Sequence, residues 1–251
     1  MAASTLFFGS IRGVQDLTEK VIELDTAMVS LRRVMDLPDH KFNEMLEKSI
    51  ENVDSLSAKT GDYLKIVGEF GRTGLDDVES LDMANTATML QNISELTPDE
   101  AFNSLTAAMI AFNIEAKDSV QIADKLNEVD NNFAITTRDL SLSLNKASST
   151  AKTFGVSLDE LLGYTTAIGS ATRESGNIVG NSLKTIMSRM TTNSSAIGAL
   201  NEVGISIKDM EGNVRPVSDI INELAGKWNS LSKAQQQNTS VNVAGIYQLS
   251  R

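Results

Sequence analysis

The residues of this chain whose types and spacing could do chemistry are few. His40 stands beside Asp36 and Asp39, and an imidazole with two carboxylates is a metal-ligand set. Those aspartates belong to Asp36-Leu-Pro-Asp39, a proline turn where aspartates cap helices, and His40 is the only histidine, so the trio reads as structural. Asp76-Asp77 and Asp159-Glu160 are paired acids. Paired-carboxylate hydrolysis needs two acids converging across a cleft, which adjacency in sequence does not supply, whereas the first turn of a helix favours acids through its dipole. Gly68, Gly71 and Gly74 have the spacing of a glycine-rich phosphate loop, but no Gly-Lys-Ser/Thr follows and no strand precedes them. With no cysteine, thiolate metal sites, cysteine nucleophiles and disulfides are excluded. The sequence therefore predicts no catalytic residue, no metal site and no cofactor.

Composition bounds what must position these residues. A chain of 251 residues with 41% hydrophobic and 22% charged residues can bury a substantial core. Aromatics at 5% and only three prolines suit helices packed through aliphatic side chains better than a β-sandwich or barrel, and the ten methionines fit as adaptable core filler. No apolar run is long enough to span a bilayer, and Leu6-Phe7-Phe8 lacks the flanks of a secretory signal. The net charge of −11 is uneven: residues 1–130 hold 11 Lys and Arg against 24 Asp and Glu, and residues 131–251 hold 11 against 9. Neither half clusters its basic residues as phosphate binding requires, so no specific nucleic-acid binding is expected.

The spacing predicts a mainly α fold: a succession of short antiparallel helical hairpins, with an N-terminal heptad-patterned helix and one small β-hairpin near residues 204–215. Val14, Leu17, Val21, Leu24, Met28, Leu31 and Met35 alternate steps of three and four and form a candidate self-association seam, ended by Asp36-Leu-Pro-Asp39. Ile22, Ala27, Val29 and Val34 widen this stripe beyond a strict seam, so coiled coil and multiply packed helix both remain open. A second helix is expected from Asp39 to about Lys59 and a third from Asp62 to Phe70, and the cluster Gly68, Gly71 and Gly74 marks a hinge. Further starts fall roughly every 20 residues: near Asp76, at Thr97 with Glu100, near Asp118, at Thr136, at Ser157 with Glu160, and near Asn177. Period-two Ile205 and Ile207, flanked by Gly204 and followed by Glu211-Gly212-Asn213, suggest the hairpin. Later helices open at Pro216 or Ser218 and after Ser232, and the ending Gly245 to Arg251 carries no closing signal, so the sequence is expected to continue.

One block concentrates these signals. Gly155 can take positive φ at a helix end, and Ser157 with Glu160 has the spacing of a capping box. An apolar helix through Leu161, Leu162 and Ile168 follows, broken at Ser175-Gly176-Asn177 and resumed through Val179, Leu183, Met187 and Met190. The word order Gly155-Val-Ser-Leu-Asp-Glu-Leu, Thr172-Arg-Glu-Ser-Gly-Asn and Leu183-Lys-Thr-Ile-Met-Ser-Arg-Met190 resembles the core region of bacteriophage tail tape-measure proteins. Leu31-Arg-Arg-Val34, Val203-Gly-Ile-Ser-Ile-Lys-Asp-Met-Glu-Gly-Asn213 and Val243-Ala-Gly-Ile-Tyr247 extend the resemblance over nearly the whole chain. Its pattern residues are Gly74, Thr97, Glu100, Gly155, Ser157, Glu160, Gly176, Leu183, Gly204 and Gly212.

The resemblance implies a non-enzymatic virion protein in the lumen of the tail tube, made in the host cytoplasm, that helps set tail length and leaves ahead of the DNA. It also implies partners: further copies of itself, tail-tube and tail-tip or baseplate proteins, and tail assembly chaperones, with membrane contact only at infection. Readings from other classes are a helical adaptor or scaffold and a module associated with peptidoglycan hydrolysis. The expected organisation is N-terminal amphipathic helices over 1–60, a Gly-rich hinge over 61–75, a helical-hairpin core over 76–190, and the β-hairpin with C-terminal helices over 191–251.

Overall fold

The computed structural model describes residues 21–248, so Val14 and Leu17 of the heptad seam lie outside the described residues. The described chain is mainly helical. Helix α1 occupies residues 21–34, followed by α2 (Asp39–Leu56), α3 (Thr60–Arg72), α4 (Asp77–Ile93), α5 (Pro98–Phe112), α6 (Val120–Asn132) and α7 (Thr137–Thr153). Then come α8 (Leu158–Thr172), α9 (Gly176–Thr192), α10 (Ser194–Glu202), α11 (Val217–Trp228) and α12 (Lys233–Ala244), with 3-10 turns at Ala116–Asp118 and Ile246–Gln248. Each proline sits at a helix start: Pro38 and Pro216 as N-caps, and Pro98 at the first helical position, where its missing N–H costs nothing.

The chain divides into two compact units, residues 1–92 with 97–102, and residues 93–96 with 103–251. In the first, α3 is enclosed, with Tyr63, Leu64, Val67 and Phe70 all buried. The Tyr63 hydroxyl accepts from Asn52 Nδ2 at 2.9 Å and donates to Asn85 Oδ1 at 2.7 Å, which ties α2 and α4 through one buried phenol. Burial pushes that phenol's pKa up to about 12, because the charged phenolate is disfavoured away from water. Phe70 and Phe102 pack with their rings tilted by 53° and centroids 4.8 Å apart. The Arg32 guanidinium lies 4.5 Å from the Phe42 ring centroid and pairs with Asp39.

In the second unit α7 is central: Leu140, Leu144, Ala147 and Ala151 are buried on it together with Ser141, Ser143 and Ser148. Its closest neighbour is α9, and α8 packs on both. At the far end the Arg189 side chain of α9 donates from Nε to Val243 O at 3.2 Å and from Nη2 to Asn242 O at 2.8 Å. Those bonds satisfy carbonyls of the last turn of α12, which the helix itself leaves open.

The small β-hairpin expected near 204–215 does not form. No strand occurs among the described residues, and the segment holds one isolated antiparallel bridge, Lys208 with Val214. The cause is local. The Asp209 carboxylate accepts the N–H of Glu211 at 2.9 Å and of Asn213 at 2.8 Å, so the side chain takes donors that a ladder would need. The inward alternation was nevertheless legible, since Ile205 and Ile207 are both buried.

The glycine cluster also differs in form from its sequence reading. Gly68 and Gly71 lie inside α3, which runs to Arg72, and only Gly74 has positive φ, at +93°. Both helical glycines face α1: a Cβ on Gly71 would meet Met35 Cε at 2.5 Å, and one on Gly68 would meet Leu31 Cδ1 at 3.8 Å. The missing side chain of Gly71 admits Met35, just past the end of α1, to the surface of α3, a packing reason that outweighs helix propensity, whereas Gly68 leaves Leu31 at ordinary contact distance.

Candidate functional site: the α7 to α9 block

Ser157 caps α8 as its spacing predicts. Glu160 N donates to Ser157 Oγ at 3.3 Å, Ser157 N donates to Glu160 Oε2 at 2.8 Å, and α8 begins at Leu158. The backbone N–H of Ser157 holds the Glu160 carboxyl below the ordinary range. Gly155 precedes the cap with φ +71°, a left-handed conformation that strains any residue with a Cβ. A side chain there would also meet Pro216 Cβ at 3.0 Å, because the start of α11 leans on this turn through Val217 N donating to Phe154 O at 2.8 Å.

Thr136 caps α7 and accepts from Asp139 N at 3.1 Å. Asp139 then reaches α9, its Oδ1 accepting the N–H of Gly176 at 2.7 Å. A Cβ built on Gly176 would lie 1.9 Å from Asp139 O, and one on Gly180 would lie 2.8 Å from Ser143 O. The two contacts advance together, 139 to 143 on α7 and 176 to 180 on α9, so α9 runs parallel to α7 at backbone contact. Helix α8 must therefore carry the chain back between them. Ser143 Oγ and Thr165 Oγ1, 2.9 Å apart, fasten α7 to α8, and Gly169 faces Ile135, whose Cδ1 a Cβ would meet at 2.5 Å. Leu183 is buried beyond the glycines, with Val179, Met187 and Met190 on the same face.

The break expected at Ser175-Gly176-Asn177 falls between α8 and α9, and Gly176 in addition opens α9 as a packing surface. It passed over Gly180 and Asp139. The spacing Gly176-x-x-x-Gly180, which brings two glycines to one helix face, was the available signal.

The remaining pattern residues lie elsewhere and do not converge on one site. Thr97 and Glu100 form a reciprocal cap at α5, Thr97 N to Glu100 Oε2 at 2.9 Å and Glu100 N to Thr97 Oγ1 at 3.3 Å. Gly204 ends α10 with its carbonyl accepting from Lys227 Nζ at 2.7 Å, and Gly212 turns the 209–213 loop. Of the heptad seam, Val21 is exposed, Leu24 and Met28 are half-buried, and Leu31 and Met35 are buried within the chain.

The acids play structural parts as well. Asp76 accepts from Val78 N and Glu79 N, both at 2.9 Å, as the cap of α4, and Asp159 pairs with Lys125 at 2.6 Å. His40 is exposed in the first turn of α2. Among the described residues no group of three or more His, Cys, Asp or Glu could hold a metal ion, and no helix is long and apolar enough to cross a membrane.

With this geometry in place, the comparisons with known proteins bear on its meaning. The chain is 28% identical over 164 residues to a "Probable tape measure protein" of Escherichia phage P2, an alignment covering 64% of this chain and 20% of the relative. The chain thus spans about a fifth of that relative's length. No solved structure matches the chain significantly. The sequence model of the family described as "Phage-related minor tail protein" matches residues 50–245, from within α2 to the turn after α12. That span contains the whole α7 to α9 block with its caps and glycine contacts, and the chain belongs to the phage-related minor tail protein family, as a tape-measure-like structural protein of a phage tail.

Proposed function

We propose that this chain is the folded core module of a tail tape-measure protein, with a structural and not a catalytic part in the virion. The family match over residues 50–245 is the observation that carries the reading. In this reading the protein assembles in the host cytoplasm, occupies the lumen of the tail tube, helps to set tail length and leaves ahead of the DNA. Its partners are further copies of itself, tail-tube and tail-tip or baseplate proteins, and tail assembly chaperones. The excess of 24 acidic over 11 basic residues in positions 1–130 supports a surface that DNA passes without adhering. The short helices, broken about every 20 residues, support a folded module and not the ruler itself, since a ruler's length must scale with extended helix at about 1.5 Å per residue.

The experiment is a pair of in-frame deletions in the phage gene. Removing residues 155–190 should abolish tail assembly or infectivity, whereas removing long helical stretches outside this fragment should shorten tails in proportion. Viable phage with proportionally shorter tails after loss of 155–190 would give this block the ruler's role and overturn the assignment.

A further inference from the structure

The joint between α5 and α6 is broken by unusually little. Neither proline nor glycine occurs between Asp99 and Asn132, and from Ala116 onward the backbone is already helical or nearly so, with a 3-10 turn at Ala116–Asp118 and Ser119 at φ −58° and ψ −29°. The departure is confined to Asn113, Ile114 and Glu115, with Asn113 at φ +53° and Glu115 at φ −70° and ψ 152°. Asparagine is among the few residues with a side chain that visit the left-handed region routinely.

The apolar pattern ignores the break. Leu105, Ala108, Phe112, Ala116 and Ala123, with the small buried Ser119 on the same stripe, advance 18 positions in five steps, the period of one uninterrupted α-helix of about 3.6 residues per turn. All of these except the half-buried Phe112 are buried in the bent form. Two chains of events would ordinarily leave different marks here. A permanent turn between two independent helices has no reason to keep their apolar faces in register, whereas a segment that is also used as one helix must. Helix α5 is moreover imperfectly served where it lies: Ser104 Oγ and Thr106 Oγ1 are buried with no hydrogen-bond partner among the described residues.

We propose that Asn113 to Glu115 is a joint that straightens, fusing α5 and α6 into one amphipathic helix over residues 98–132 when the protein is built into a tail. This rests on the tail role proposed above for the setting, and on the register and backbone of this segment for the device. Rotation of Asn113 out of the left-handed region, with Ile114 and Glu115 following, restores the helical hydrogen bonds across the joint and leaves the apolar stripe continuous.

The chain has no cysteine, so Asn103→Cys and Asn127→Cys, both at exposed positions, take nitroxide labels specifically. A straight helix places these two backbone positions about 36 Å apart, and any bend shortens that distance. Measured by dipolar electron resonance on the full-length protein, the free form should give the shorter distance and purified tails the value of the straight helix. Glu115→Pro keeps the φ of the bent form and forbids the straight one, and Asn113→Gly favours the left-handed turn without a proline. Both variants should retain the short distance and yield at least tenfold fewer infectious particles. Protein present in tails at the distance of the free chain would overturn the joint while leaving the tail role standing. Protein absent from purified tails would overturn the tail role and the setting proposed here.

Discussion

Gly176 and Asp139 hold two helices together in two ways at once. The N–H of Gly176 donates to the Asp139 carboxylate at 2.7 Å, and the missing side chain of Gly176 leaves room for Asp139's own carbonyl, 1.9 Å from where a Cβ would stand. The first contact orders the start of α9, and the second sets how near α9 can come to α7. Neither works without the other, because the carboxylate reaches the N–H only while the backbones touch.

Gly176→Ala should therefore force α7 and α9 apart. Overpacking of a close helix contact is expected to destabilise by about 3 kcal/mol, which in a chain of this size lowers Tm by roughly 6–12 °C. Gly163→Ala is the matched control, since it lies within α8 with nothing within 4 Å of the new methyl. It should raise stability by up to about 1 kcal/mol through helix propensity alone. Thermal melts of the two variants should move in opposite directions, and a neutral Gly176→Ala would mean the contact is not closed in solution.

The cap of α8 makes stability depend on acid pH. The Glu160 carboxyl is held below its ordinary value of 4.5 by the Ser157 N–H, so the charged form binds more favourably in the folded chain than in the unfolded one. Its contribution is full above pH 4.5 and disappears as pH falls through the depressed folded value. Glu160→Gln retains the reciprocal cap without a titrating charge. The stability gap between native chain and variant should close on acidification, as followed by denaturant titration at several pH values. A gap independent of pH would remove the carboxylate from this account.

At the alkaline end Tyr63 governs. Its folded pKa of about 12 lies above the unfolded value near 10, so the neutral phenol's stabilisation is full below pH 10 and is lost as pH rises toward 12. Tyr63→Phe should cost about 1–2 kcal/mol at neutral pH, as it leaves the amides of Asn52 and Asn85 without their partner, and the variant should show a flatter profile between pH 10 and 12. Equal slopes for the two proteins over that range would contradict the buried phenol.

The loop after α10 rests on a single carboxylate. Asp209→Ala removes the acceptor of the Glu211 and Asn213 N–H groups and should speed hydrogen exchange at both amides, while α10 and α11 keep their protection. Unchanged exchange at Asn213 would assign the turn to Gly212 instead.

The sequence exposed the helices well where their ends are written in local chemistry. Ser157 with Glu160, Thr97 with Glu100 and the prolines each mark a start that the structure uses, because a cap is a contact between residues three apart. The hairpin near 204–215 failed for the same local reason in reverse. Alternating Ile205 and Ile207 announced burial, but the competing bonds of Asp209 decided the backbone. What stayed hidden was long-range. Nothing at Asp139 signals a partner 37 residues ahead, and Gly71 of α3 reads as a break because Met35, which fills the space beside it, lies 36 residues earlier at the end of α1.

Parallel contact between α7 and α9 has a consequence in time. A neighbour that lies alongside in the same direction cannot be the next helix, so α7 must wait for α8 to be made and turned before Gly176 and Gly180 arrive. At a synthesis rate of about 5–20 residues per second, the stretch from Asp139 to Gly180 takes roughly 2–8 s to emerge. For those seconds the Leu and Ser face of α7 lacks its α9 neighbour and stands open to any factor that attends the nascent chain.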